Sequence, residues 1–191
     1  MESFLKNNLI FIHKMTVHVI YLKLEGYVRK WLIHHYGKKG QDPISFPKWS
    51  MENDVMQDNL QRKPKDWEPE RKDGCIAIKV PKREGLNRDV WCYLPERVLV
   101  ILRKTIMRHF VKDFMRFIAT PNPATPTYKQ RIEDFMKKNG IEDNKSNMET
   151  LLQIRVRKRH MFEAPPDIDS KANKAHKGCS YGRKKPPKKR K

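Results

Sequence analysis

The stretch Pro95–Ile118, PERVLVILRKTIMRHFVKDFMRFI, is the longest run of helical periodicity in the chain. Leu99, Leu102, Ile106, Phe110, Phe114 and Phe117 recur at helical spacing, and Val98, Met107, Val111 and Ile118 widen the stripe. A stripe that broad predicts a helix facing a core, with plain packing rather than a cofactor box as its purpose. Pro95 suits the first helical position, because its missing N–H would have no partner there. Arg103, Lys104, Arg108, Lys112 and Arg116 fall on the outer side, and His109 is expected at the rim rather than as a ligand.

Upstream, Cys75–Val80 (CIAIKV) and Asp89–Leu94 (DVWCYL) read as two short strands around PKREGLNR. They predict a central hairpin whose exposed tip carries Lys79, Lys82, Arg83 and Arg88. Before it, Arg62–Asp73 is charged and contains Pro64, Trp67 and Pro69, which predicts a linker between two structural units. Downstream, Ala119–Thr127 (ATPNPATPT) predicts a stiff connector, since each proline blocks helix and restrains the residue before it.

Two further helices follow. Tyr128–Asn139 carries Ile132, Phe135 and Met136 on one side, with Asn139-Gly140 as the stop. Ser146–Phe162 (SNMETLLQIRVRKRHMF) is expected to begin with a capping box of Ser146 and Glu149. Met148, Leu151 and Leu152 anchor its first half, and Arg155, Arg157, Lys158, Arg159 and His160 make its second half basic. Arg155 and Arg159 fall in the same sector as the leucines, so either their stems lie along apolar surface or they meet an anion-rich partner. A solvated basic helix end opposing the macrodipole is the plainer reading of the same residues.

At the other end, Met15–Leu24 (MTVHVIYLKL) is rich in β-branched residues and alternates, predicting a strand. A helix over 25–36 follows, with Val28, Trp31, Leu32 and His35 on one face and Gly37 as the stop. Ser50 then predicts a cap for a helix to Leu60, with Met51, Val55 and Leu60 inward and Glu52 and Asp54 in the first turn. The fold class is therefore α+β: mostly helical, with a short N-terminal strand, a central hairpin, a C-terminal helix pair and a disordered basic tail. The expected divisions are an extension at 1–14, a strand-helix-helix unit at 15–61, a linker at 62–74, hairpin plus long helix at 75–118, the connector at 119–127, the helix pair at 128–163 and the tail at 164–191.

Strand, helix, loop and Ser-capped helix over Thr16–Leu60 resembles the ribbon-helix-helix family in order. That resemblance implies a homodimer pairing its strands into a ribbon, with Thr16 and His18, and with them Ile20, facing bases in the major groove. It also implies a phosphate held by the backbone at Ser50. The connection Lys38–Trp49 is longer than the family's tight turn, and the alternative is a strand inside an internal sheet. A second resemblance lies in Tyr93-Leu94-Pro95-Glu96-Arg97, in Ile132, Phe135, Met136 and Asn139 to Glu142, and in Asn147 with Leu151–Arg159. These resemble small basic proteins of Mu-like, transposable prophages, over roughly two thirds of the chain. The resemblance implies a mobile-element setting and a DNA partner, and transfers no active site.

Charge narrows the function classes. The 191 residues carry 42 Lys and Arg against 22 Asp and Glu, a formal charge of +20. No acid follows Asp169, where ten of the basic residues lie, so half the excess belongs to the body. A basic body with a basic tail is the electrostatic footprint of a nucleic-acid binder. In the tail, Arg183, Lys184, Lys185, Lys188, Lys189, Arg190 and Lys191 read equally as a nuclear-import cluster or as a phosphate-binding arm. Cys75, Cys92 and Cys179 fit neither a disulfide framework nor a paired metal spacing, which points to free thiols in a reducing compartment. No apolar run approaches the roughly 20 residues a spanning helix needs, so no membrane partner is expected. Met1–Lys14 has only Leu9–Ile12 as an apolar run and no small-residue cleavage site, so it does not read as a signal peptide, and Met15 is an alternative start.

No Walker loop, dinucleotide fingerprint, HExxH or GxSxG motif occurs, so neither a catalytic residue nor a metal or other cofactor is expected. Glu133, Asp134, Glu142 and Asp143 follow no ligand spacing and suit a solvated helix face. The leading expectation is a non-enzymatic, double-stranded-DNA-binding accessory or regulatory protein, located at a bacterial nucleoid or, in a eukaryotic host, in the nucleus. RNA is the alternative partner, with Trp49, Trp67, Trp91 and Tyr93 available for base stacking. The third reading is a structural protein whose charge meets an acidic protein.

Overall fold

A computed structural model describes residues 18–37, 43–120, 123–124 and 127–158. Its elements run β1 (Val19–Lys23), α1 (Gly26–Tyr36), α2 (Met51–Asn59), β2 (Gln61–Arg62), β3 (Cys75–Lys79), β4 (Trp91–Tyr93), α3 (Glu96–Ala119), α4 (Tyr128–Lys138) and α5 (Lys145–Lys158). The α+β class, the N-terminal strand and the C-terminal helices stand as read. Helix α3 is the hub: α1, α2, α4 and α5 all pack on it. Its buried residues, among them Leu102, Ile106, Phe110, Phe114 and Ile118, follow the expected stripe. Phe135 of α4 lies 6.0, 5.1 and 5.4 Å from the rings of Phe110, Phe114 and Phe117, and Trp31 of α1 meets Phe110 at 5.5 Å.

The central hairpin is corrected. Both strands form, yet β3 pairs antiparallel with β1, from Val19 opposite Lys79 to Lys23 opposite Cys75, and β4 pairs with β2. Ile44 adds a parallel bridge on the far side of β3. The physical reason is burial on both faces: Ile76, Ala77, Ile78 and Val80 are all buried, so β3 belongs at the centre of its small sheet rather than in an exposed hairpin. The segment expected to divide the chain, 62–74, instead runs between strands of one structure. Strands before and after it pair, one hydrophobic cluster contains residues from both sides, and Trp67 packs edge-on against Tyr93 at 5.3 Å. Strand β1 lies in an internal sheet with Ile20 and Leu22 buried, so the two-chain ribbon pairing is not what this strand does here.

Caps show how local chemistry sets the ends. Ser50 Oγ accepts the Asn53 N–H at 3.2 Å, as expected for α2. Thr127 and Gln130 form the capping box of α4, and Gly140 ends that helix with φ +61°. There the N–H of Ile141 bonds Met136 O at 2.9 Å and that of Gly140 bonds Lys137 O at 3.3 Å, a Schellman closure that needs the left-handed glycine. The capping box expected at Ser146 and Glu149 is replaced by Asn144, whose Oδ1 accepts the Asn147 N–H at 2.8 Å. An earlier side-chain acceptor starts the helix sooner, so Ser146 falls inside it.

Helix α2 keeps part of the expected inward face, with Leu60 buried and Val55 half-buried against the core, but not Met51. Met51 is 69% exposed, while Glu52, Asn53 and Met56 are buried. The cause lies on α3, where His109 gives Glu52 a partner.

Candidate nucleic-acid interface

The loop after β3 begins where strand alternation sends Lys79 outward and Val80 inward. Gly85 adopts φ +76°, and Asn87 closes the return by accepting the Asp89 N–H on its side chain at 2.9 Å. Arg88 folds back over the loop, its Nη2 donating to Val80 O, while its Nε is buried with no hydrogen-bond partner. Arg83 donates from Nη1 to Gln57 O of α2 at 3.3 Å. Lys79, Lys82 and Arg88 thus come together around a cavity of about 440 Å³, joined by Lys48 from the segment before α2, with Glu84 as the acid in its lining. Lys48 was not singled out from sequence; it stands 31 residues from Lys79, and the Ile44 bridge to Ile78 helps bring the two segments together.

His18 does not face outward as a base reader: its Nε2 lies 2.9 Å from Asp89 Oδ1. Thr16 lies outside the described residues, as do Arg159, His160 and the tail cluster Arg183, Lys184, Lys185, Lys188, Lys189, Arg190 and Lys191. On α5, Leu151 is buried and the Arg155 guanidinium sits 3.5 Å from the centre of the Tyr128 ring. That cation–π contact uses Arg155 within the protein, its stem lying along the α4–α5 seam. Arg157 and Lys158 are exposed, with Arg157 Nη2 at 3.5 Å from Gln153 Oε1. These cations line no part of the Lys48–Arg88 cavity and stand on a separate element.

A second polar site was not legible in the sequence. Glu52, 2% exposed, accepts from His109 Nδ1 at 3.0 Å, and Tyr36 Oη lies 3.2 Å from the same nitrogen. Trp31 donates from Nε1 to Asp113 Oδ2 at 2.9 Å, and His35 stacks on Trp31 at 5.2 Å. Burial alone would push the Glu52 carboxyl up. The bonds from His109, from its own backbone amide and from Ser50, with the positive field of His109, outweigh burial and hold it below its usual range. Burial lowers His35, although Asp113 and Glu52 pull it the other way and His109 and His34 add to the fall. Burial first, then Glu52 and Asp113, push the Tyr36 hydroxyl far up, so it stays protonated. Thr105, His109 and Asp113 form one row along α3, and Arg108, Lys112 and Arg116 the next. Both rows line a cavity of about 340 Å³ with Trp49 and Met51 at its mouth. The sequence signal was the run of polar residues at spacing four, Thr105, His109 and Asp113, beside the phenylalanine stripe of α3.

Of the four aromatic residues available for stacking, Trp67, Trp91 and Tyr93 are half-buried, and Trp49 is 82% exposed. Among the described residues no group of three His, Cys, Asp or Glu could hold a metal ion, and no helix is long and apolar enough to cross a membrane. Cys75 and Cys92 are free, on strands of different sheets. No family model, curated protein or solved structure matches this chain.

Proposed function

We propose that this chain is a non-enzymatic accessory or regulatory protein that binds double-stranded DNA through its phosphates. The observation that carries the reading is the gathering of Lys48, Lys79, Lys82 and Arg88 around one cavity with Glu84 as its acid. Like charges held together on a folded surface repel one another in the free protein, and a phosphate relieves that repulsion while releasing condensed counterions. Arg157 and Lys158 at the end of α5, and the basic tail, supply further phosphate contacts in this reading. A nucleoid setting, or a nuclear one in a eukaryotic host, follows from the same partner, as does a role on a mobile element. Pairing of two copies on one duplex site would multiply the contacts.

The test is duplex affinity against salt for the full chain and for Lys48→Ala/Lys79→Ala/Lys82→Ala. These three lysines are exposed, so their loss leaves the core intact. The slope of log affinity against log salt should fall by about 0.9 for each phosphate contact removed. An unchanged slope in the triple variant overturns the cavity as a phosphate anchor.

A second reading, single-stranded RNA or DNA, is favoured by one observation: the indole of Trp49 stands in solvent at the rim of a cationic cavity. Bases stack on such rings with little regard to sequence.

A further inference from the structure

Arg108, Lys112 and Arg116 stand in one row on α3, and none has an acidic partner within ion-pair distance among the described residues. Across the cavity, Trp49 makes no ring contact with any described residue. An indole left in water forfeits the hydrophobic free energy that burial would give it. The cavity volume of about 340 Å³ lies in the range of small-ligand sites, which begins near 300 Å³. An exposed indole and three cations without an acidic partner among the described residues, all lining one cavity, match a ligand that carries both an aromatic ring and an anionic group. We propose that this cavity binds a nucleoside monophosphate unit, with the base stacked on Trp49 and the phosphate held by Arg108, Lys112 and Arg116. The proposal rests on the nucleic-acid reading above and gives it a place for one nucleotide.

The start of α2 does not hold the phosphate. The Glu52 carboxylate already takes its own backbone amide and Ser50, which answers the positive end of that helix. Asp113 sets the choice of base. It lines the cavity, and Trp31 occupies Oδ2 at 2.9 Å, so Oδ1 can accept from an exocyclic amino group. Adenine, guanine and cytosine carry such a group, whereas uracil and thymine have only the ring N3–H there, flanked by two carbonyl oxygens that the carboxylate repels. The Glu52–His109 hydrogen bond fixes two of the residues that line the cavity.

The experiment is calorimetric titration of the full chain with AMP, UMP, inorganic phosphate and the octamer (dA)8, repeated on Trp49→Ala and on Arg108→Ala/Lys112→Ala/Arg116→Ala. Circular dichroism checks that both variants fold, which the exposure of Trp49 favours. AMP is expected to bind more tightly than UMP or phosphate, and Trp49→Ala to weaken it roughly five- to a hundredfold, the span of one base–aromatic stack. Binding of AMP and (dA)8 alike identifies a site for a free monophosphate. Binding of (dA)8 alone, still dependent on Trp49, identifies an unstacked nucleotide of a strand; both outcomes support the proposal. If neither AMP nor (dA)8 binds, the proposal is overturned, as it is by binding that both variants retain. Because the duplex test above uses Lys48, Lys79 and Lys82 and this one uses Trp49 and α3, loss of either reading leaves the other separately measurable.

Discussion

Replacing His109 should destabilise the protein more than replacing Glu52, although the two share one hydrogen bond. Glu52 is 2% exposed and the His109 side chain 35%, so the pair is asymmetric toward water. His109→Leu leaves a carboxylate buried without its main partner. Breaking a buried pair in this direction costs about 3 to 5 kcal/mol. Glu52→Gln leaves an imidazole that water can reach, and its cost reduces to a weakened hydrogen bond, about 1 kcal/mol. The double variant Glu52→Leu/His109→Leu removes both polar groups and should recover most of the larger loss. The pH dependence separates this account from simple packing. Without His109 burial acts on the Glu52 carboxyl against only its backbone amide and Ser50, so the carboxyl rises from its place in the unmodified protein, and the cost of His109→Leu should shrink as pH falls toward 4.5. Urea unfolding at pH 7 and pH 4.5, fitted with a common m-value, reads all four proteins. Equal, additive losses for the two single variants, unchanged between the two pH values, would refute the reasoning.

The unmodified protein should lose stability as pH falls below 7. The folded His35 titrates below its ordinary 6.5, so the unfolded chain takes up its proton first and the contribution fades from about that pH downward. Glu52 sits below its ordinary 4.5, so its contribution is full above that value and is lost as pH falls through the lower folded one. Thermal melts from pH 8 to pH 4 check this, and a melting temperature that rises on acidification would contradict it. Phe135→Ala, which empties the space among Phe110, Phe114 and Phe117, should cost about 3 to 5 kcal/mol in urea unfolding, and a loss under about 1 kcal/mol would deny that these rings form the centre of the core. Ser50→Ala removes a buried cap that accepts the Asn53 N–H and should cost about 1 to 2 kcal/mol, with hydrogen exchange at Asn53 as the local readout.

Periodicity and local caps are properties of neighbouring residues, which is why the helices were legible. The stripe from Leu102 to Ile118, the Ser50 cap and the Gly140 stop each depend on residues within a turn or two of one another. Charge was legible for the same reason, since the +20 and its partial concentration after Asp169 need only counting. Strand pairing was not. Cys75–Lys79 forms a strand as its β-branched alternation requires, yet its partner is β1, more than fifty residues earlier, because three consecutive buried side chains, Ile76, Ala77 and Ile78, had to lie inside the structure rather than at an exposed turn. The burial of Glu52 on α2 was missed for a related reason. Glu52 reads as a first-turn acid facing water, and only α3, bringing His109 across 57 residues, makes its burial affordable. Likewise the cationic cavity needed Lys48, which the Ile44 bridge carries to the side of Lys79. Sequence alone thus determined which segments are helical, how several of them are capped and that the chain is strongly basic. Tertiary structure decided which strands pair, which charges are buried and which cations share a cavity, because those depend on distances between residues far apart along the chain.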